Sequence, residues 1–228
     1  MNRNNRVERI SAALRALLAL ALTAASAQPA GAIEEPGYTS VQRDGALEIR
    51  DYAPYLVAET RVEANFDDAG SQAFRRLFRY ISGDNTQQQD ISMTAPVIQR
   101  AAGSAPQEAN GGASMAMTAP VNQVADGKGY RVAFVVPGKF NRSTVPTPND
   151  ARVTIREVPA ARVAAWRFSG RWTEAAFKDA EARLRVALIR IGYTADGPAT
   201  TARYNAPFSL PFTRRNEVLI PVQARAGN

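Results

Sequence analysis

The 228-residue chain contains neither a histidine nor a cysteine. Without cysteine there is no disulfide, thiolate nucleophile, iron–sulfur cluster, covalent c-type haem or cysteine-ligated zinc. Without histidine there is no Ser-His-Asp triad, no HExxH metal helix, no imidazole acid or base, and no proximal histidine for a haem iron. Carboxylate, Lys, Tyr or Ser chemistry remains, or binding without chemistry. Long apolar runs are also missing: the longest starts at Ala16 near the N-terminus and is interrupted well short of the ~20 residues a membrane span needs. With 45% apolar and 21% charged residues, the rest has an ordinary globular balance.

Residues 1–27 carry the marks of an export signal. Arg3, Arg6 and Arg9 form a basic start, Ala12 to Ala25 is rich in Ala and Leu, and Ala25-Ser26-Ala27 is a small-residue cleavage site. The expectation is a signal peptide over 1–27, a linker over 28–37, one domain over 38–222 and a tail over 223–228, in a periplasmic or secreted protein. Removing four Arg and one Glu with the signal leaves 24 basic and 20 acidic side chains, a net charge of +4. Two Arg-Arg pairs, Arg75-Arg76 and Arg214-Arg215, are too small for a phosphate-binding stripe, so nucleic acid is not expected as a partner. Nor is stable membrane insertion after signal cleavage; the sequence leaves a protein partner open.

Two segments have helical periodicity. Over Asp67 to Ser82 the apolar positions are Ala69, Ala73, Phe74, Leu77, Phe78, Tyr80 and Ile81, with Asp67 or Asp68 as cap and Gly83 as stop. Over Thr173 to Ile191 they are Phe177, Ala180, Leu184, Ala187, Leu188 and Ile191, with Thr173 as cap and Gly192 as stop. The remainder reads as short strands: Leu47 to Arg50, Leu56 to Val62, Ile91 to Gln99, Met115 to Val124, Tyr130 to Val136, Val153 to Glu157, Val163 to Phe168 and Val218 to Val222. Ala101 to Ser114, rich in small residues and without periodicity, reads as a loop joining two strands.

An internal repeat organises these elements. Glu48-Ile49-Arg50 laid over Thr154-Ile155-Arg156 also brings Val57-Ala58 over Val163-Ala164, Arg61 over Arg167 and Phe66 over Trp172. Each copy then runs into its helix. The expected fold class is α+β, a duplicated strand–strand–helix–strand unit with halves at about 46–124 and 150–222, one curved antiparallel sheet, and a helix from each half against it. Such a sheet leaves a cleft near its pseudo-axis, a default place for a ligand.

A shorter repeat, Met93-Thr94-Ala95-Pro96-Val97 and Met117-Thr118-Ala119-Pro120-Val121, places proline at strand edges or bulges. Its methionines are either core fillers or soft contacts for a flat aromatic ligand or a metal.

Together with Glu48-Ile49-Arg50-Asp51-Tyr52, Tyr80-Ile81-Ser82-Gly83-Asp84-Asn85, Val132 to Pro137, Tyr204-Asn205-Ala206-Pro207-Phe208 and Arg214-Arg215-Asn216-Glu217-Val218, these motifs resemble the SOUL haem-binding protein family from about Tyr38 to Val222. The resemblance implies a distorted antiparallel β-barrel flanked by two long helices. It also implies haem or another tetrapyrrole as bound ligand, lying in an apolar groove against the first helix. Carried onto this chain, the groove would use Phe74 and Phe78, with Arg79 as charge partner and Arg214 and Arg215 assisting. Ser71 stands where some relatives carry a basic residue, and Pro207 to Phe212 is apolar and lacks a Lys. Iron ligands, if any, would be drawn from Met93, Met117 and tyrosines such as Tyr80. No catalytic residue is nominated. The expected function is reversible haem binding for sequestration or transfer. The alternatives are an enzyme that removes haem iron, or a module for another amphiphilic molecule or a protein partner.

Overall fold

A computed structural model describes residues 34–101, 129–205 and 208–225. The expected signal peptide, the Met115 to Val124 strand and the second proline repeat with Met117 lie outside the described residues.

The elements are β1 (Tyr38–Asp44), β2 (Leu47–Tyr52), β3 (Tyr55–Val62), α1 (Phe66–Ile81), β4 (Val97–Ala101), β5 (Tyr130–Val135), β6 (Val153–Val158), β7 (Ala161–Phe168), α2 (Glu174–Arg190), β8 (Tyr193–Ala195), β9 (Thr200–Arg203) and β10 (Asn216–Ala224). A single turn of 3-10 helix, Pro211–Thr213, precedes β10. Asn65 caps α1 instead of Asp67 or Asp68: its Oδ1 accepts from the Asp68 amide at 2.9 Å, and the two aspartates fall in the first turn, where their charge favours the helix N-terminus. Thr173 caps α2 as expected, accepting from the Ala176 amide at 3.2 Å. Gly83 (φ 94°) and Gly192 (φ 76°) follow the two helix ends in the left-handed region that glycine enters at least cost.

The ten strands form one antiparallel sheet in the order β1-β2-β7-β10-β9-β4-β5-β3-β6, with β8 on the far end of β10. Two elements of the fold class stand, α+β and a large antiparallel sheet with two helices. The barrel does not: β1 pairs only with β2 and β6 only with β3, so the sheet has two open ends among the described residues. The physical reason is visible in β1. All but its first residue are exposed, so no apolar face draws it across to β6. From one side the sheet reads β2-β7-β10-β9 and from the other β6-β3-β5-β4, while the chain runs β2-β3-α1-β4-β5 and then β6-β7-α2-β9-β10.

Both helices cover one face. Strand alternation decides which residues meet them. On β3 and β5, Leu56, Ala58, Val62, Val132 and Phe134 join Ala69, Ala73, Leu77 and Tyr80 of α1 in one core. On β2, β7 and β10, Leu47, Ile49, Ala164, Val218 and Ile220 join Phe177, Ala180, Leu184 and Leu188 of α2 in a second. The intervening residues, Val57, Glu59, Arg131, Ala133, Val163, Leu219 and Pro221, face the other way and line a cavity.

Candidate functional site

The residues expected to form a groove on α1 are partly assembled there. Phe74 and Phe78, one turn apart, hold their rings 5.8 Å apart and within 12° of parallel. Phe74 is half-buried and touches Phe134 edge-on at 5.4 Å, whereas Phe78 is 46% exposed, an uncommon state for a large aromatic. The Arg79 guanidinium points outward and reaches Asp150 at 3.4 Å. That carboxylate is also held by Arg152 at 2.7 Å, whose hydrogen bond keeps it well below the usual carboxylate range.

Arg214 and Arg215 open β10 and are engaged there. Arg214 lies over the Trp172 ring at 4.3 Å and donates to the Ser209 carbonyl at 2.9 Å. Arg215 lies over Tyr204 at 3.7 Å and donates to Glu217 at 2.9 Å and Glu35 at 2.8 Å. Next to them Phe208, Leu210 and Phe212 are exposed apolar side chains.

Of the iron-ligand candidates, Tyr80 is buried and donates its hydroxyl to the Pro146 carbonyl at 2.8 Å, and burial pushes the phenol up to about 12. Met93 is 40% exposed and fills no core gap. The neighbouring Thr94 helps tie this segment down, donating to the Val135 carbonyl, as do the Ile91 and Ala95 amides, which donate to the Ile81 and Glu34 carbonyls, and the cis proline Pro96 leads directly into β4.

Motifs far apart in sequence meet in one buried cluster. The Arg50 guanidinium, 2% exposed, donates to both carboxylate oxygens of Glu217 at 2.6 and 2.9 Å and to Glu48 at 2.9 Å. Tyr204 donates to Glu217 at 2.8 Å, and Tyr38 covers Arg50 with its ring at 4.5 Å. Burial pushes the Glu217 carboxyl up, but the hydrogen bonds and charges of Arg50 and Arg215 outweigh it and hold the group below its ordinary value. Glu48 and Arg50 of EIRDY, Tyr204 of YNAPF, and Arg215 and Glu217 of RRNEV are thus joined in one network.

The cavity lies on the face away from the helices and has a volume of about 410 Å³. Strands of both halves contribute to it, so the sheet is curved around it. Val57, Ile98, Ala133, Val163, Leu219 and Pro221 make its wall apolar. At its floor Glu59 accepts from Arg100, Arg131 and Arg156, each at 3.2 Å. Burial raises the Glu59 carboxyl, and the fields of Arg156 and Arg100 overcome that and lower it. Tyr55 at the edge is pushed up to about 12 by burial and by Tyr52. A cleft near the pseudo-axis was expected, but these four charged residues were not. The available signal was their place on inward positions of apolar strands, with Arg156 lying over Arg50 when the two segments are aligned.

Comparison with known proteins follows the same span. The chain is 26% identical over 180 residues to Heme-binding protein 1 of Xenopus tropicalis, covering 78% of this chain and 84% of that one. It is 38% identical over 79 residues to human Heme-binding protein 2, covering 32% of this chain and 38% of that one. Among solved structures, the C-terminal domain of EcmrR superposes with a TM-score of 0.54 at 10% identity, covering 82% of this chain and 98% of that one. A hydrolase from Listeria innocua superposes with a TM-score of 0.50 at 9% identity, covering 80% and 94%. These two likenesses are of fold alone. The family model described as SOUL heme-binding protein matches residues 33–221, and the chain belongs to that family.

Proposed function

We propose that the protein is an exported haem- or tetrapyrrole-binding protein that holds its ligand reversibly on the aromatic face of α1, for sequestration or transfer. The observation that carries this reading is the Phe74–Phe78 stack with an exposed outer ring, next in sequence to Arg79, in a chain whose curated relatives are named as heme-binding proteins. Two parallel rings give a flat ligand an apolar wall, and an exposed guanidinium is suited to a propionate. The residues present fit haem held in this way and do not fit strong axial ligation. There is no His or Cys, the Tyr80 phenol is protonated and already donating to a carbonyl, and no cluster of three or more carboxylates that could hold a metal exists among the described residues. Haem when bound would supply the absorption and redox properties of its iron; the protein supplies a wall and a countercharge. A groove without a bond to iron favours release over retention, which supports carriage rather than fixed redox chemistry.

The symmetric strand order and the matching element order support duplication of an ancestral strand–strand–helix–strand unit. The N-terminal sequence supports export.

Titration of the mature protein with haemin is expected to give a saturable Soret change at micromolar protein. Phe78→Ser removes an exposed ring, so folding is little affected, while lost apolar contact of roughly 1.5 kcal/mol weakens haemin about tenfold. No saturable change, or one that Phe78→Ser leaves untouched, refutes this site.

A further inference from the structure

The cavity on the open face of the sheet has features that the α1 surface lacks, and the tetrapyrrole reading makes no use of them. At about 410 Å³ it falls within the range of small-molecule sites, and its lining is apolar apart from a charged cluster at the floor and a few polar residues, among them Arg162, Asp196, Thr200 and Gln223. That cluster is out of balance. One carboxylate, Glu59, faces three guanidinium groups, leaving an excess of two positive charges at the floor. At the rim Arg162 is paired with Asp51 at 2.7 Å, and the Asp196 carboxylate, which accepts from the neutral Gln223 amide, offsets one of the two charges, so floor and rim together keep an excess of one positive charge. The Nε atoms of Arg131 and Arg156 are buried and have no hydrogen-bond partner, a state that carries a desolvation cost.

The strand pairings show how the excess arises. Arg50 stands opposite Val163, and Val163 opposite Pro221, four residues after Glu217. Arg156 stands opposite Val57, and Val57 opposite Val135, four residues after Arg131. Where one half has an Arg–Glu pair, the other therefore has Arg and Arg. The first is complete within the protein and the second calls for an anion from outside.

We infer that this cavity binds an amphipathic carboxylate, with the apolar body along Val57, Ile98, Val163 and Leu219 and the head group between Arg131 and Arg156. Guanidinium groups take carboxylates through paired, charge-assisted hydrogen bonds, and the side chains of Arg131 and Arg156, 36% and 29% exposed, can share one head group. The site is separate from the aromatic face of α1, because alternate residues of the same strands serve the two sides of the sheet.

The probe is 11-(dansylamino)undecanoic acid, read by its blue-shifted fluorescence against the full mature chain. One molecule per chain is expected to bind. Its methyl ester should bind at least ~10-fold more weakly, and Arg131→Gln and Arg156→Gln should each weaken the acid by a similar factor. Val163→Trp fills the cavity while keeping all three floor arginines and should abolish binding, while Phe78→Ser, on the opposite face, should leave it unchanged. Circular dichroism verifies that each variant is folded. Equal binding of acid and ester, indifference to both arginine variants and to Val163→Trp, or loss on Phe78→Ser would each overturn the inference.

Discussion

The two halves of the sheet place an arginine at matching positions, Arg50 on β2 and Arg156 on β6, and treat it in opposite ways. Arg50 is 2% exposed and sits between Glu217 and Glu48 with every contact at hydrogen-bond distance. Arg156 is 29% exposed and shares one carboxylate with two other arginines. The same frame therefore yields a closed cluster in one half and an open one in the other. Backbone symmetry sets where charges meet; the identity of one residue, Glu217 or Arg131, sets whether they satisfy one another.

The largest effect that could break this contrast is on stability. Arg50→Ala leaves Glu217 buried without its bidentate partner and is expected to cost about 3–5 kcal/mol in urea unfolding at neutral pH. Arg156→Ala leaves Glu59 two other arginines and relieves repulsion among them, and partial exposure weakens its ion pair further, so a change within about 1 kcal/mol is expected. Equal losses would mean that the two clusters are equivalent after all. Acid titration gives a smaller effect of definite sign. Glu217 and Glu59 are both held below their ordinary pKa when folded. Their contribution is therefore present above the unfolded carboxylate value of about 4.3 and is lost as pH falls through the lower folded values. Between about pH 6 and pH 3 the urea midpoint of Glu217→Gln is expected to fall less than that of the wild type, because a glutamine has no proton to take up.

Much of the frame was legible in the sequence because it rests on local periodicity. The apolar stripes of α1 and α2, their glycine stops and the Thr173 cap depend on neighbours three and four residues away. The α1 cap was misplaced because Asn65 precedes the first aspartate by two residues and all three are good caps. β1, exposed almost throughout, and the short strands β8 and β9 have no apolar alternation to announce them. Ile91 to Pro96 carries strand-like residues but is held by the Thr94 hydroxyl and two separate backbone hydrogen bonds, from Ile91 and Ala95, instead of a ladder. The site was less legible for a different reason. The Arg50–Glu217 pair joins residues 167 positions apart, and no spacing within either motif indicates that they neutralise each other. Likewise Glu59, Arg100, Arg131 and Arg156 read singly as solvated strand positions. Only the curvature of the sheet turns that face into an interior.

A single substitution can test whether one position separates the two clusters. Arg131→Glu gives the first half the carboxylate that the second half has at Glu217, leaving two arginines and two glutamates at the cavity floor. Because Arg131 is one of the more exposed members of the group, the expected change in unfolding free energy is small, within about 1 kcal/mol and of either sign. Binding responds differently. With the excess charge gone, the head group of an amphipathic carboxylate meets a carboxylate where it would have met a guanidinium, and the dansyl acid is expected to lose affinity by more than it does in Arg131→Gln. If Arg131→Glu instead binds the acid as Arg131→Gln does, the charge at this position has no influence of its own, and the contrast between the halves reduces to a difference in burial.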